Sequence, residues 1–208
     1  MKLRNIDYQR ILISLAILVL LVYSIGFSKS APPVLEKDTA RYQVNRIAIL
    51  PFDNVSGDPD AAKRITTIFL NQLFARDKFE VIELGEVEKV LIDERVRNTG
   101  EIEIAVAKKL GEKLNADYLI LGSVVEYKLV RIGNNDYPVI GITARAIDTK
   151  TGQLVWSDHK YGRGNQREKV FGIGRIVSFS ELSELIVEKL VISFEKKLWL
   201  EQYKSRKK

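Results

Sequence analysis

The tripeptide Lys150-Thr151-Gly152 is the first group of residues in this sequence whose types could perform chemistry. The same tripeptide occurs in penicillin-recognising serine enzymes, where Ser-x-x-Lys and Ser-x-Asn motifs precede it in the chain. Every Ser-x-x-Lys match in this sequence, such as Ser193–Lys196, follows the tripeptide instead. Because the order is wrong for such an enzyme, we interpret Asp148–Gly152 as a tight turn between two strands.

The remaining polar patterns also favour structural roles. The sequence contains no cysteine and a single histidine, His159. The aspartates of the segment 53–60 do not have EF-hand spacing, and Asp58 followed by Pro59 is typical of a helix start. The two G-x-G pairs, at 162–164 and 172–174, lack the third glycine of a dinucleotide-binding loop. We therefore predict that the chain is not an enzyme and has no catalytic residues, cofactor or bound metal.

The net charge of +6 is located at the two ends of the chain. Residues 1–30 carry four cationic residues and one acidic residue, and residues 196–208 carry six and one, so residues 31–195 have a net charge of −2. A nucleic-acid-binding domain places its positive charge on a folded face. The distribution therefore argues against nucleic acid as a partner.

The segment 11–27 contains 17 residues without a charge, and Lys2, Arg4 and Arg10 precede it. Its length lies at the lower limit for a membrane-spanning helix and just above the usual core of a signal peptide. We predict a single-pass inner-membrane anchor with the following domain in the periplasm; the alternative is a cleaved signal and a periplasmic protein. The predicted anchor residues are Ile11, Leu15, Leu18, Leu21, Tyr23 and Phe27. Residues 1–10 then form a cytoplasmic basic segment and residues 28–43 a linker.

Periodicity along residues 44–203 predicts an α/β (α+β) domain, followed by a basic tail at 204–208. An isoleucine-rich run at 46–52 is typical of a strand buried on both faces. Helices striped by apolar residues follow it, then an antiparallel meander around turns near 133–136 and 148–152, then a long helix that begins at Ser178. The order β-α-β-α-α-β-β-β-α predicts a mixed sheet of about five strands with helices packed on it and a closing C-terminal helix.

The segment 161–175 is glycine-rich, basic and longer than an ordinary connection. Long loops with these properties are often binding loops, although a merely mobile loop fits the same pattern. The candidate partner-binding residues in it are Arg163, Asn165, Gln166 and Arg167.

Four segments occur in the chain in this order: IAILPFDNVSGDPD, ADYLILGSV, ITARAIDTKTGQLVW and the closing helix. Through these segments the chain resembles the superfamily that contains CsgG, TolB amino-terminal-domain-like modules, LpoB and FlgO. The resemblance covers roughly residues 44–195. It implies a non-enzymatic, periplasm-facing module that assembles or regulates a cell-envelope complex through protein–protein contacts. An oligomeric secretion or transport subunit, like the CsgG ring, is the alternative, and a homo-oligomer is compatible with both.

The chain departs from this superfamily in two respects. Well-known members are lipoproteins, but this sequence has no cysteine to carry a lipid. Residues 128–140 and 161–175 are too short or too polar to be membrane hairpins, whose strands need about 9–11 residues each. A self-assembled barrel pore is therefore not expected, and the sequence does not identify the partner protein.

Overall fold

The structure, a computed structural model, describes residues 45–169 and 173–206. The chain divides into two compact units, Met1–Tyr42 and Gln43–Lys208, and the description below concerns the second. The predicted anchor 11–27, with its six named residues, and the predicted linker lie outside the described residues. Within the described ranges, no helix combines the length and the apolar character required to cross a bilayer.

The described residues of the second unit form six strands and four helices. The strands are β1 (Asn45–Ile49), β2 (Asp53–Asn54), β3 (Phe79–Val81), β4 (Tyr118–Ile132), β5 (Asn135–Asp148) and β6 (Leu154–Arg163). The helices are α1 (Ala61–Phe74), α2 (Leu84–Asp93), α3 (Ile104–Leu114) and α4 (Phe179–Arg206). This order of elements is the predicted one, apart from the additional short strand β2.

The strands form one mixed sheet in the order β3-β1-β4-β5-β6. β1 is parallel to β3 and β4, whereas β4, β5 and β6 form an antiparallel meander. The two residues of β2 pair with β4 at Ser123 and Val124, beyond the end of β1. The predicted mixed sheet is therefore confirmed, with six strands where about five were expected.

The sheet has a separate apolar core on each face. Ile47 and Ile49 point to a core shared with α1 and α4, whereas Ala48 and Leu50 point to a core shared with α2 and α3. All four side chains are fully buried. Because helices lie on both faces of the sheet here, residues 47–50 are continuously apolar rather than alternating.

The start of α1 differs from the prediction. The helix begins at Ala61, not at Pro59, and the side chain of Asp60 makes no capping hydrogen bond. Asp58 instead accepts a hydrogen bond from the Asp60 N–H at 3.0 Å, which closes a turn before the helix. An aspartate two residues from a backbone N–H forms this turn as readily as a helix cap, which explains the error.

The segment Asp148–Gly152 is a turn, as predicted. The Asp148 carboxylate accepts hydrogen bonds from the N–H of Thr151 at 2.7 Å and from its hydroxyl at 2.9 Å. Gly152 has φ +76°, a left-handed conformation that glycine adopts without strain. The Lys150 ammonium group lies 2.9 Å from Asp117, on the exposed side of the turn. Each polar group of the tripeptide therefore has a structural partner.

Candidate partner-binding surface

Half of one sheet face is not covered by any described helix. Helices α2 and α3 pack on the side formed by β1, β3 and the first residues of β4. On the same face of β5 and β6, Thr143 lies opposite His159 and Arg145 lies opposite Ser157. We call the residues Val125, Thr143, Arg145, Ser157, His159 and Tyr161 the open face.

Two side chains give the open face its apolar character. Tyr161 is 45% exposed, and Val125 is 37% exposed at a β-bulge between Val124 and Glu126. A bulge redirects the side chain of its extra residue. Exposed tyrosines on rigid strands are frequent hot spots of protein–protein interfaces, because they bury a large area at little entropic cost.

The polar residues of the open face are held in place by hydrogen bonds. The Thr143 hydroxyl and His159 Nδ1 are 3.1 Å apart. Arg145 donates to the carbonyl oxygen of Gly100, in the connection between α2 and α3. The surface is therefore preorganised by cross-strand and loop contacts, as a binding surface must be to limit its entropic cost.

The predicted binding loop lies at one end of the open face. Gly164 donates to the Pro138 carbonyl and accepts from the Ile176 N–H, both at 2.9 Å. The Tyr137 hydroxyl donates to Glu168 at 2.8 Å, and Arg175 donates to Asn135 at 3.3 Å. These contacts connect the described part of the loop to β5.

The four predicted loop residues have different surroundings, and the first of them, Arg163, is the last residue of β6 rather than part of the connection. Gln166 and Arg167 are exposed, whereas Arg163 and Asn165 are half-buried. Arg163 Nε and Asn165 Oδ1 are shielded from solvent and have no hydrogen-bond partner among the described residues. Buried polar atoms are usually paired, so these two atoms are exceptions among the described residues. Their role in binding stays a prediction.

The open face could not be predicted from the sequence. Ser157, His159 and Tyr161 alternate along β6, but the same alternation is typical of any strand with one solvated side. The missing information was the position of α2 and α3, which cover only half of the sheet.

The opposite side of β6 is fixed to α4 by a polar network. Trp156 Nε1 donates to the Ser193 hydroxyl at 3.2 Å, and Lys160 donates to Asp158 at 2.6 Å. Burial raises the pKa of Asp158, but hydrogen bonds from Lys160 and Ser193 outweigh this effect and hold the pKa below its ordinary value. Charged side chains that point inward from an edge strand also discourage pairing with another chain.

The lowered pKa of Asp158 predicts a contribution to acid stability. The contribution is complete above the ordinary aspartate pKa of about 4 and is lost as the pH falls through the lower pKa of the folded protein. Asp158→Asn should therefore reduce the free energy of unfolding at pH 7, and the difference from the original chain should shrink below pH 4. Urea unfolding at pH 7, 5 and 3 measures this, with exposed Asp136→Asn as the control. A difference that does not change with pH would contradict the assignment.

The residues do not suggest a chemical site. Among the described residues, no three His, Asp or Glu side chains are grouped as metal ligands. The remaining candidate site of this α/β domain is the open face beside the loop. The chain belongs to the LpoB family, whose model, described as peptidoglycan-synthase activator LpoB, matches residues 28–161. The predicted resemblance is confirmed, and membership in a family of activators agrees with the prediction that the chain is not an enzyme.

Solved structures share the fold. The PelC dodecamer from Paraburkholderia phytofirmans is 21% identical, with 72% of this chain and 87% of that chain covered and a TM-score of 0.51. Lipoprotein GNA1162 from Neisseria meningitidis is 18% identical, with coverage of 72% and 99% and a TM-score of 0.53. The hypothetical protein CT253 from Chlamydia trachomatis is 13% identical, with coverage of 73% and 96% and a TM-score of 0.52. No curated protein sequence matches this chain significantly.

Proposed function

We propose that this protein is a non-enzymatic, periplasm-facing regulator that stimulates a peptidoglycan synthase by direct contact. The observation that carries the proposal is the family match over residues 28–161, which includes β1 to β5 and most of β6. The open face lies entirely within this range. The loop residues 163–167 lie just beyond it, so the open face is the first surface to test.

The direct test combines the full chain with the peptidoglycan synthase of the same organism. We expect the chain to bind the synthase and to increase the rate at which lipid-linked precursor is polymerised. Polymerisation is followed with a fluorescent precursor, and binding by a pull-down. If the synthase neither binds the chain nor changes its rate, the proposal is wrong.

Tyr161→Ala tests whether the open face is the contact surface. Truncation of an exposed interface tyrosine is expected to weaken binding roughly tenfold, because the partner loses a large apolar contact. The matched control is Ile92→Ala, which removes an exposed apolar side chain from α2 on a different surface. If the two variants bind the synthase with equal affinity, the synthase does not contact Tyr161 on the open face. Gln166→Ala with Arg167→Ala then tests the loop in the same assay.

Attachment to the inner membrane through residues 11–27 belongs to the same proposal. It is supported by the uncharged run, by the preceding positive charges and by the lack of a cysteine for lipid attachment. Alkaline extraction of membranes should leave the chain in the pellet with an intact amino terminus. A shortened, fully extractable chain would favour the cleaved signal instead.

The alternative function is a subunit of an oligomeric transport ring. Among the described strands, β6 pairs only with β5, so its outer edge is open to a second copy. Asp158 and Lys160 on the same strand oppose such pairing. The native mass of the detergent-solubilised chain distinguishes the two functions, since a stable large ring would favour the transport assembly.

A further inference from the structure

Helix α4 has a second apolar stripe on the side opposite its buried face. The buried face in this part of the helix consists of Leu190, Val191, Phe194 and Leu198. The stripe consists of the exposed residues Ile192, Trp199, Leu200 and Tyr203. Spacings of three, four and seven place residues on one side of a helix, so α4 is apolar on two opposite sides.

Aromatic residues dominate the exposed stripe at its C-terminal end. Trp199 and Tyr203 are stacked, with ring centroids 5.5 Å apart and an interplanar angle of 14°. Trp199 is 61% exposed, whereas Trp156, the other tryptophan of the chain, is 6% exposed. Trp199 therefore leaves most of its indole surface exposed to solvent.

Cationic residues surround the aromatic pair. Exposed Lys196 precedes Trp199 by one turn on the same side of the helix. Lys197 and Lys204 flank the stripe and share the carboxylate of Glu201, at 2.8 and 3.8 Å. Residues 196–208 contain six cationic residues and one acidic residue, a net charge of +5. Aromatic residues next to cationic residues are typical of segments that lie at the interface of an anionic membrane.

This part of α4 lies near the end of the sheet at which β1 begins. The ring of Phe194 is 5.8 Å from that of Phe79, and Phe79 is the β3 partner of Asn45. Asn45 follows Phe27, the last residue of the predicted anchor, by 18 positions. A chain of this length spans at most about 60 Å when fully extended.

We propose that the C-terminal end of α4 docks on the anionic phospholipid surface of the membrane that holds the N-terminal segment. Trp199 and Tyr203 insert between headgroups, and Lys196 and Lys204 bind lipid phosphates. The short linker raises the local concentration of lipid around the docking residues, so modest affinity suffices. Docking fixes the orientation of the domain and leaves the open face, on the other side of the sheet, available to a partner. The inference rests on the membrane attachment proposed above, but it does not require that the partner be a peptidoglycan synthase.

Tryptophan fluorescence of the full chain in proteoliposomes tests the proposal, because Trp156 is buried and Trp199 reports the stripe. With phosphatidylglycerol present, Trp199 emission should shift to shorter wavelength and be quenched by lipids brominated near the headgroup. Both effects should disappear in pure phosphatidylcholine and at high salt. Lys196→Gln with Lys204→Gln should lower the ratio of docked to free domain about fivefold for each lysine.

The controls separate docking from folding and from other partners. Lys63→Gln with Lys89→Gln neutralises two exposed lysines on α1 and α2 and should leave quenching unchanged, and circular dichroism confirms that each variant is folded. Trp199 emission that is the same in anionic and zwitterionic membranes overturns the proposal. A shift that follows protein concentration rather than lipid charge identifies a second copy as the occupant. A shift produced only by peptidoglycan fragments identifies the cell-wall polymer as the ligand. Either of these last two outcomes also overturns the proposal.

Discussion

Replacing Phe194 with alanine is expected to lower the free energy of unfolding by about 3–5 kcal/mol, the usual cost of emptying a buried phenylalanine site. Phe194 is fully buried on α4. Its ring lies 5.3 Å from that of Trp156 on β6 and 5.8 Å from that of Phe79 on β3. These strands are at opposite ends of the sheet order, so one side chain joins both edges of the sheet to the closing helix.

The matched control is Trp199→Ala, five residues further along the same helix. Trp199 is exposed and stacks on Tyr203 within its own helix, a contact worth about 0.5 kcal/mol. Urea unfolding followed by circular dichroism compares the two variants. The fold assigned to α4 predicts a large difference between them. If both variants lose the same small amount of stability, α4 does not close the core as described.

The sequence predicted the order of the elements because the core faces have clear periodicity. Only one placement on the sheet buries the apolar residues of each of three elements. These elements are the apolar run that begins in β1, the long β4–β5 hairpin and the striped helix α4. The start of α1 was wrong because Asp58 fits a turn as well as a cap. The exposed stripe of α4 was missed because apolar residues at helical spacing are ordinarily assigned to a core.

The candidate binding surface was less predictable than the fold. The polar residues of β6 look alike in the sequence, yet Asp158 and Lys160 point toward α4 whereas His159 and Tyr161 face the opposite way. Only the position of the helices distinguishes these two environments. The predicted loop 161–175 begins within β6, which extends to Arg163, and its attachment to β5 depends on contacts that are distant in the sequence.

Gly164→Ala is expected to detach the binding loop and to destabilise the protein by about 1–3 kcal/mol, the usual range for an overpacked site. An added Cβ atom at this position would overlap the carbonyl oxygen of Ile176 and lie 2.9 Å from Pro138 Cδ. The Ile176 carbonyl belongs to the backbone, so the loop must move to make room. Movement would break the hydrogen bonds of Gly164 to Pro138 and Ile176.

Hydrogen exchange measures this effect residue by residue. The amide of residue 164 and that of Ile176 should lose protection in the alanine variant, while the amides of β4 should keep theirs. Gly133→Asn is the control, because Gly133 lies in the open β4–β5 turn with φ +60°, a conformation that asparagine tolerates. If Gly164→Ala retains protection at both amides, the loop is not fastened by this contact. If protection is lost and synthase binding is unchanged, Arg163, Asn165, Gln166 and Arg167 are not part of the binding surface.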